Sequence, residues 1–497
     1  MQNILICIAT NKFFNGKYIK QLCSEIDDDV NCYVIVGYWW EIGLFDKDYF
    51  CFSRDDCIVG DFSKYVESLD LKRGVFLDSK LVEDCEKFIY EALMIQRRFE
   101  YKYPYFMSND LKKHAQLVVE QIDFWNSFIE QRGINRVILS DVPHDNYEYI
   151  IYKLCEIKRI DTHIIKNVFK TNNYFLLKNY KDINDQICRG DYCEVPIKDV
   201  FLDEDFKSLF ESIDGSANSD FLFFKNETSR RKEFNSRIGT VNPIKFLIET
   251  VWKNAEKRQN DFGLNDRGIK KLTIPILIKS VLQALMRMDY YIFILYKWIS
   301  TKIFVHKYRR LSSNPISGEK YIYFSMHAEP EAALNPMGGW LGNQYVPIKL
   351  LSESIPDDWY LYVKIHPAQV DVMLSIDDFI RLKSIKNIRI ISDRVRQSYL
   401  IKNSLAVATL SGEVGLEANF YNKPCFNLGY TYYSDAPTSI RVDSVDDIKK
   451  AIQDINAGNI SCNKDDIKKY LFRLQNESLK GMDTVIKEMI KRINLDM

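Results

Sequence analysis

At 497 residues, with 46% apolar and 13% aromatic content, the chain is too long for one hydrophobic core and rich enough for two or three. Lys plus Arg and Asp plus Glu balance at 68 each, so no global field exists to hold a polyanion, and nucleic acid is not an expected partner. The 11 cysteines are scattered without a C-x-x-C pair, which argues against a disulfide framework or a zinc ribbon and for free thiols in a reducing cytoplasm.

The opening "MQNILICIATNKFF" lacks a basic leader region and reads as a first strand, not a secretion signal. A helix-like "GKYIKQLCSEI" and a second strand, "VNCYVIVGYW" (30–39), follow. Residues 77–100 and 110–132 carry helical periodicity, and 134–166 reads strand, loop, helix, strand. That βαβ unit is the mark of a parallel sheet with helices on both faces. Residues 180–315 are charged, poorly patterned and helical where patterned, which predicts a helical insertion. From 320 the α/β alternation returns. Strands are expected at 320–327, 358–367, 387–392, 405–411 and 423–429, with helices at 345–355, 398–404 and 412–421. Ser444 and Asp447 form a capping box for a helix over 444–455, and the last stretch is helical and charged. The expected fold class is α/β: two Rossmann-like doubly wound domains facing a cleft. The expected division is an N-terminal acceptor domain (1–180), a helical insertion or linker (181–315), a C-terminal donor domain (316–460) and C-terminal helices (461–497).

Four strand-end stretches carry the candidate chemistry, because open α/β sheets bind ligands at the carboxyl ends of their strands. "LSDVPHDNYEY" places Asp141, His144 and Asp145 after a first-domain strand, either as a base facing the cleft or, for Asp145, as the N-cap of the next helix. "FSMHAEPEAALNPMGGWLGNQ" delivers His327, Glu329 and Glu331 to a loop rich in proline and glycine. Its carboxylates suit general-base work or sugar hydroxyls. H-x-E-x-E is not a standard zinc spacing, so no metal is expected. In "LYVKIHPAQ", Pro367 forces His366 into extended backbone at a strand end, with Lys364 one alternation period away on the same face. An imidazole so placed donates to a phosphate oxygen. The plainer reading is a loop-capping histidine. In "LSGEVGLEANFYNKP", Ser411 and Gly412 open a helix whose free N–H groups suit phosphate, Gly412 and Gly415 would admit a ligand to the backbone, and Glu413 and Glu417 lie within reach of a sugar or ribose. The plainer reading is an ordinary serine cap with first-turn glutamates.

"IPILIKSVLQALMRMDYYIFILYKWIS" (274–300) is apolar but interrupted by Lys279, Arg287, Asp289 and Lys297, so it does not reach the ~20 mostly uncharged residues of a membrane span. With Lys302, His306, Lys307, Arg309 and Arg310 behind it, peripheral membrane contact through 274–310 is one reading, and a buried helix with a solvated basic tail is the other.

"PHDNYEYIIYKLCE", "SMHAEPEAALNPMGGWLGNQ", "VKIHPAQ" and "SGEVGLEANFYNKP" together resemble bacterial capsule and surface-polysaccharide biosynthesis proteins, GT-B glycosyltransferases related to the Kdo (3-deoxy-manno-oct-2-ulosonic acid) transferases. The resemblance spans roughly 134–166 and 320–455. It implies a GT-B fold, a nucleotide-sugar donor (CMP- or UDP-linked) on the C-terminal domain, an acceptor on the N-terminal one, and no metal or other cofactor. It implies that His366 and Pro367 meet the donor phosphate and that Gly412, Gly415 and Glu417 match the family's helix. Leu416 stands where many members carry an aromatic residue, which leaves donor sugar and base open. Non-hydrolysing UDP-N-acetylglucosamine 2-epimerases share the strand-end His-Pro and Ser-Gly helix start, but this chain has "SGEVG" in place of their Ser-Gly-Gly run. The expectation is therefore a cytoplasmic glycosyltransferase, at most peripheral at the inner face of the plasma membrane, acting on a glycan or glycolipid acceptor. An epimerase and a non-catalytic glycan-binding scaffold are the alternatives.

Overall fold

The computed structural model of the chain describes residues 2–8, 16–26, 30–36, 49–72, 79–96, 111–169, 171–186, 195–211, 288–329, 331–366, 369 and 376–495. Buried runs rich in Ile, Val, Leu and aromatics form strands covered on both faces, as parallel sheets require. In the first half these are β1 (Gln2–Cys7), β2 (Val30–Val36), β3 (Phe50–Ser53), β4 (Arg136–Leu139), β5 (Asp161–Asn167) and β6 (Asn173–Leu177). In the second half they are β7 (Lys320–Ser325), β8 (Trp359–Lys364), β9 (Ile388–Ile390), β10 (Ala406–Thr409), β11 (Cys425–Asn427) and β12 (Ser439–Arg441), and a short β13 (Leu479–Lys480) comes near the end.

The first sheet runs β13-β6-β5-β4-β1-β2-β3, parallel from β3 to β5, with β6 and β13 added antiparallel. β6, paired with β5 (Ile164 opposite Leu177), and β3 lie outside the expected strands. The second sheet runs β12-β11-β10-β7-β8-β9 and is parallel throughout. Each sheet therefore carries the doubly wound order in which the chain reverses direction beside its first strand, between β1 and β4 and between β7 and β10. Two such sheets in one chain form the GT-B arrangement.

The chain ends by returning to the first sheet. Helix Met482–Leu495 packs Met482, Val485, Ile486, Met489 and Ile493 against Ile19 and Leu22 of helix Gly16–Glu25, Ile26 just past its end, and Leu176 of β6. Each of these buried side chains is worth roughly 1.5–3 kcal/mol, enough to keep the return segment docked. Helix Lys464–Glu477 packs on helix Glu204–Glu211, and Asn173 Nδ2 donates to Ser478 Oγ at 2.9 Å. The halves also meet in the middle: Thr431 N donates to Asn184 Oδ1 at 2.7 Å, and Tyr180 meets Tyr430 edge to face at 5.9 Å. Of the expected helical insertion, the described parts are short helices Ile183–Gln186 and Glu204–Glu211 and the long helix Met288–Leu311; 212–287 lie outside the described residues. Ser444 and Asp447 do form a capping box, on helix Val445–Ala457.

Candidate functional site

The two chain reversals face each other across a cavity of about 290 Å³. Asp141 follows β4, Lys166 lies next to the last residue of β5, Ser325 closes β7 with Met326 and His327 behind it, His366 follows β8, and Thr409 closes β10 with Ser411–Val414 behind it; all line it, as do Glu331, Gln397 and the Tyr430–Tyr433 run after β11. Of the residues singled out in the sequence, Asp141, His327, Glu331, His366, Ser411, Gly412 and Glu413 lie on this one cavity. Pro367 lies outside the described residues.

His144, Asp145, Glu329 and Lys364 sit away from its walls, each for a visible reason. His144 lends its backbone N–H to Glu148 Oε2 (2.8 Å) at the start of helix Asn146–Lys158. Asp145 caps that helix and holds Arg54 through two bonds of 2.5 and 3.0 Å, so the cap reading of this stretch is the one seen. Glu329 is tied into its own loop. Its carboxylate accepts from Gln344 Nε2 (2.9 Å), and Gln369 Oε1 accepts from its backbone N–H (2.6 Å). Lys364 is buried within β8.

The 411–417 turn departs from its expected use. The Ser411 amide points at His327 Nε2 (3.4 Å), and the Gly412 amide at Thr409 Oγ1 (3.3 Å), which itself lies 3.1 Å from His327 Nε2. These N–H groups, expected to face a phosphate, are spent inside the protein. The glycines make room for neighbouring side chains, and Gly412 also lines the cavity. A Cβ at Gly412 would sit 2.8 Å from His327 Cε1, and one at Gly415 would sit 2.7 Å from Tyr433 Cε2. Glu417 is buried and accepts at 2.8 Å from Nε2 of Gln397, which lines the cavity.

His327 is the centre of this packing. It is 5% exposed, and burial holds its imidazole down at about 4, so it is neutral at pH 7. An amide only donates, so Nε2 accepts from Ser411 and the ring proton resides on Nδ1. The loop that carries His327 is fixed by Gln344, whose Oε1 accepts from His327 N at 2.8 Å.

Lys166 escaped the sequence reading, although a lysine at the carboxyl end of a sheet strand is a readable signal. Its Nζ lies 3.2 Å from Asp141 Oδ1. Burial alone would pull its ammonium down, but Asp141 and, from the other domain, Glu413 hold it above its ordinary value. Glu413 in turn accepts from Tyr432 Oη at 2.9 Å. A cation from one half is thus held charged by carboxylates from both. Tyr433 Oη donates to the Gly412 carbonyl and fixes the turn beneath it.

A second cavity, of about 350 Å³, lies at the β11–β12 side between the same halves. It is lined by Glu91, Lys181 and Asn184 from the first half and Trp340, Tyr430 and Arg441 from the second. Trp340 is 73% exposed. Its loop is closely packed on itself: a Cβ at Gly338 or Gly342 would sit 2.6 or 2.5 Å from the Leu334 carbonyl oxygen.

No curated protein matches the chain. Solved structures similar to it include a UDP-GlcNAc 2-epimerase from Methanocaldococcus jannaschii (14% identical, covering 96% of this chain and 99% of that one, TM-score 0.26). Another is the beta Kdo 2,7 transferase KpsC of Thermosulfurimonas dismutans (11% identical, 70% and 78% covered, TM-score 0.28). A third is a glycosyltransferase from Rickettsia africae (8% identical, 99% and 98% covered, TM-score 0.28). Likeness at this level says nothing of this chain's substrate. The capsule polysaccharide biosynthesis protein family matches residues 348–438, the stretch that carries β8, His366 and the 411–417 turn, and over that segment the resemblance read from the sequence holds.

Proposed function

We propose that the chain transfers a sugar from a nucleotide-sugar donor to a glycan or lipid-linked glycan during assembly of a surface polysaccharide, on the cytoplasmic side of the membrane and without a catalytic metal. The observation that carries this reading is the meeting of the two chain reversals at one cavity, where His366, Lys166 and carboxylates from both halves line a common wall. The donor lies on the second sheet, its phosphate against His366. Its negative charge competes with Asp141 for Lys166, and Lys166 turns toward the phosphate. Asp141 is then released to accept the proton of the acceptor hydroxyl. The hydroxyl oxygen forms the new bond to the anomeric carbon, and the bond from that carbon to the donor phosphate breaks. The electron pair leaves on the nucleotide phosphate, where His366 and Lys166 stabilise it. Glu413, held by Tyr432, and Gln397, held by Glu417, orient ribose or sugar hydroxyls. The acceptor glycan runs through the second cavity, with the Trp340 indole as its platform.

Calorimetric titration with CMP, UDP, GDP and their sugars tests the reading. One nucleotide is expected to bind, and His366→Ala to weaken it by roughly 10- to 150-fold, the worth of a hydrogen bond to a charged group. Binding of none of them by the wild-type chain refutes the proposal. Conversion of a nucleotide sugar to its epimer with no acceptor present assigns epimerase chemistry instead.

A further inference from the structure

Helix Met288–Leu311 presents one face with two chemistries along its length. Ile292, Leu295, Tyr296, Ile299 and Ile303 follow the spacing of a single helical stripe, and they are 56%, 42%, 57%, 42% and 50% exposed. Toward the C-terminal end the same face carries Lys302, His306, Lys307 and Arg310, all exposed. The opposite face is spoken for: Thr301, Phe304, Val305 and Tyr308 are buried against the second domain. The apolar stretch runs over about 16 Å of helix before the basic residues take over.

The helix is rigidly held. Tyr308 Oη donates to the Ile391 carbonyl at 2.6 Å and accepts from Ile365 N at 3.2 Å, and Arg309 pairs with Asp393 at 2.8 Å. Ile365 is the residue before His366, so the exposed face and the cleft keep one fixed relation.

We infer that this face docks the protein on an anionic lipid surface, the apolar half entering the acyl boundary and the basic half lying at the level of the lipid phosphates. The charge pattern selects this occupant. A second copy packed side by side in parallel would bring the cations together, and packed antiparallel it would set each apolar half against the other's cations. An anionic bilayer offers an apolar layer beside a negative one and satisfies both halves at once. Docking by this face is independent of the chemistry at the cleft, and it would hold the cleft at a set height above the bilayer.

The test is flotation of the full chain with vesicles of phosphatidylcholine alone, and of phosphatidylcholine mixed with phosphatidylglycerol, at low and high salt. The chain is expected to float with the mixed vesicles at low salt and less at high salt. Charge reversal at Lys302→Glu, Lys307→Glu and Arg310→Glu is expected to lower binding by at least about a hundredfold, at roughly fivefold per lost cation. Ile299→Glu with Ile303→Glu is expected to lower it by roughly tenfold or more per residue. These side chains are exposed, so the variants fold, and unchanged circular dichroism and melting verify that. A wild-type chain that stays in solution with the mixed vesicles overturns the inference, as does equal flotation of the charge-reversed variant. A wild-type dimer that Ile299→Glu turns into a monomer, with no vesicle binding, assigns the face to self-association instead.

Discussion

The neutral, buried His327 makes a prediction with a defined sign and size. Burial holds its imidazole at about 4 in the fold, against an ordinary 6.5. As pH falls, the unfolded chain takes up this proton first, so the stabilisation is complete above pH 6.5 and is lost as pH drops from there toward 4. The gap is worth roughly 3 kcal/mol, a sizeable part of the ~5–15 kcal/mol typical of a whole domain. Other groups act in the same direction. Asp161, for example, is held below the usual carboxylate range despite its burial by His163, Lys178 and Arg136. The informative quantity is therefore the difference between the wild-type chain and His327→Gln, which keeps a neutral acceptor near Thr409 and cannot charge. Urea unfolding between about pH 7.5 and 4.5 should show the wild type ahead at neutral pH through better packing, with its lead shrinking by roughly 2–3 kcal/mol at the acid end. Parallel curves for the two proteins would refute the reasoning, because they would mean that His327 titrates alike folded and unfolded and that the chain reversal after β7 is not the dry, neutral junction described.

Three further outcomes are expected. Asp141→Asn should lower sugar transfer by about 10²–10⁴-fold while the donor binds at least as tightly as in the wild type, because Lys166 is no longer shared with a carboxylate, measured by product release and calorimetry; a matching loss in donor binding assigns Asp141 to the donor instead. Gly415→Ala sets a methyl 2.7 Å from Tyr433 Cε2 and 3.0 Å from Cys425 Sγ, so unfolding should become easier by about 1–3 kcal/mol, and an unchanged melting temperature contradicts the packing role given to this glycine. Trp340→Ala removes a side chain that is 73% exposed, so melting should not move, whereas the acceptor KM should rise roughly tenfold with the donor KM unchanged; a flat acceptor KM removes the second cavity from the acceptor path.

The doubly wound architecture was legible because it is written locally. "KYIYFS", "WYLYVK" and "AVAT" are short buried runs between turn signals, and Ser444 with Asp447 announces its helix four residues at a time. What local pattern does not carry is pairing. β6 is a run of five residues whose partner is β5 just upstream and whose other edge is closed by β13, about 300 residues on. Nothing in "NYFLL" announces that second partner. The return of the C-terminal helix to the first sheet is equally remote in sequence, since its apolar stripe of Met482, Val485, Ile486, Met489 and Ile493 declares a buried face without naming what covers it.

The candidate site divides along the same line. The rule that ligands meet strand ends located Asp141, Glu331, His366 and Glu413, because each follows a strand or opens the helix behind one. The same rule applied to β5 and β11 reaches Lys166 and the Tyr430–Tyr433 run, which the reading passed over. It failed in detail at Ser411 and Gly412. A serine-glycine helix start promises unpaired amides, but whether they stay unpaired depends on what packs beneath. Here that is His327, more than 80 positions earlier, with Thr409 bridging to it. The glycines at 412 and 415 follow from the same cause, being small because an imidazole and a tyrosine ring occupy the space a methyl would need. The serine-glycine start is thus tied into the internal packing of this protein while still lining the cavity. On the function proposed above, holding an anionic donor would fall to His366 and Lys166, which line the same cavity from behind β8 and from the end of β5.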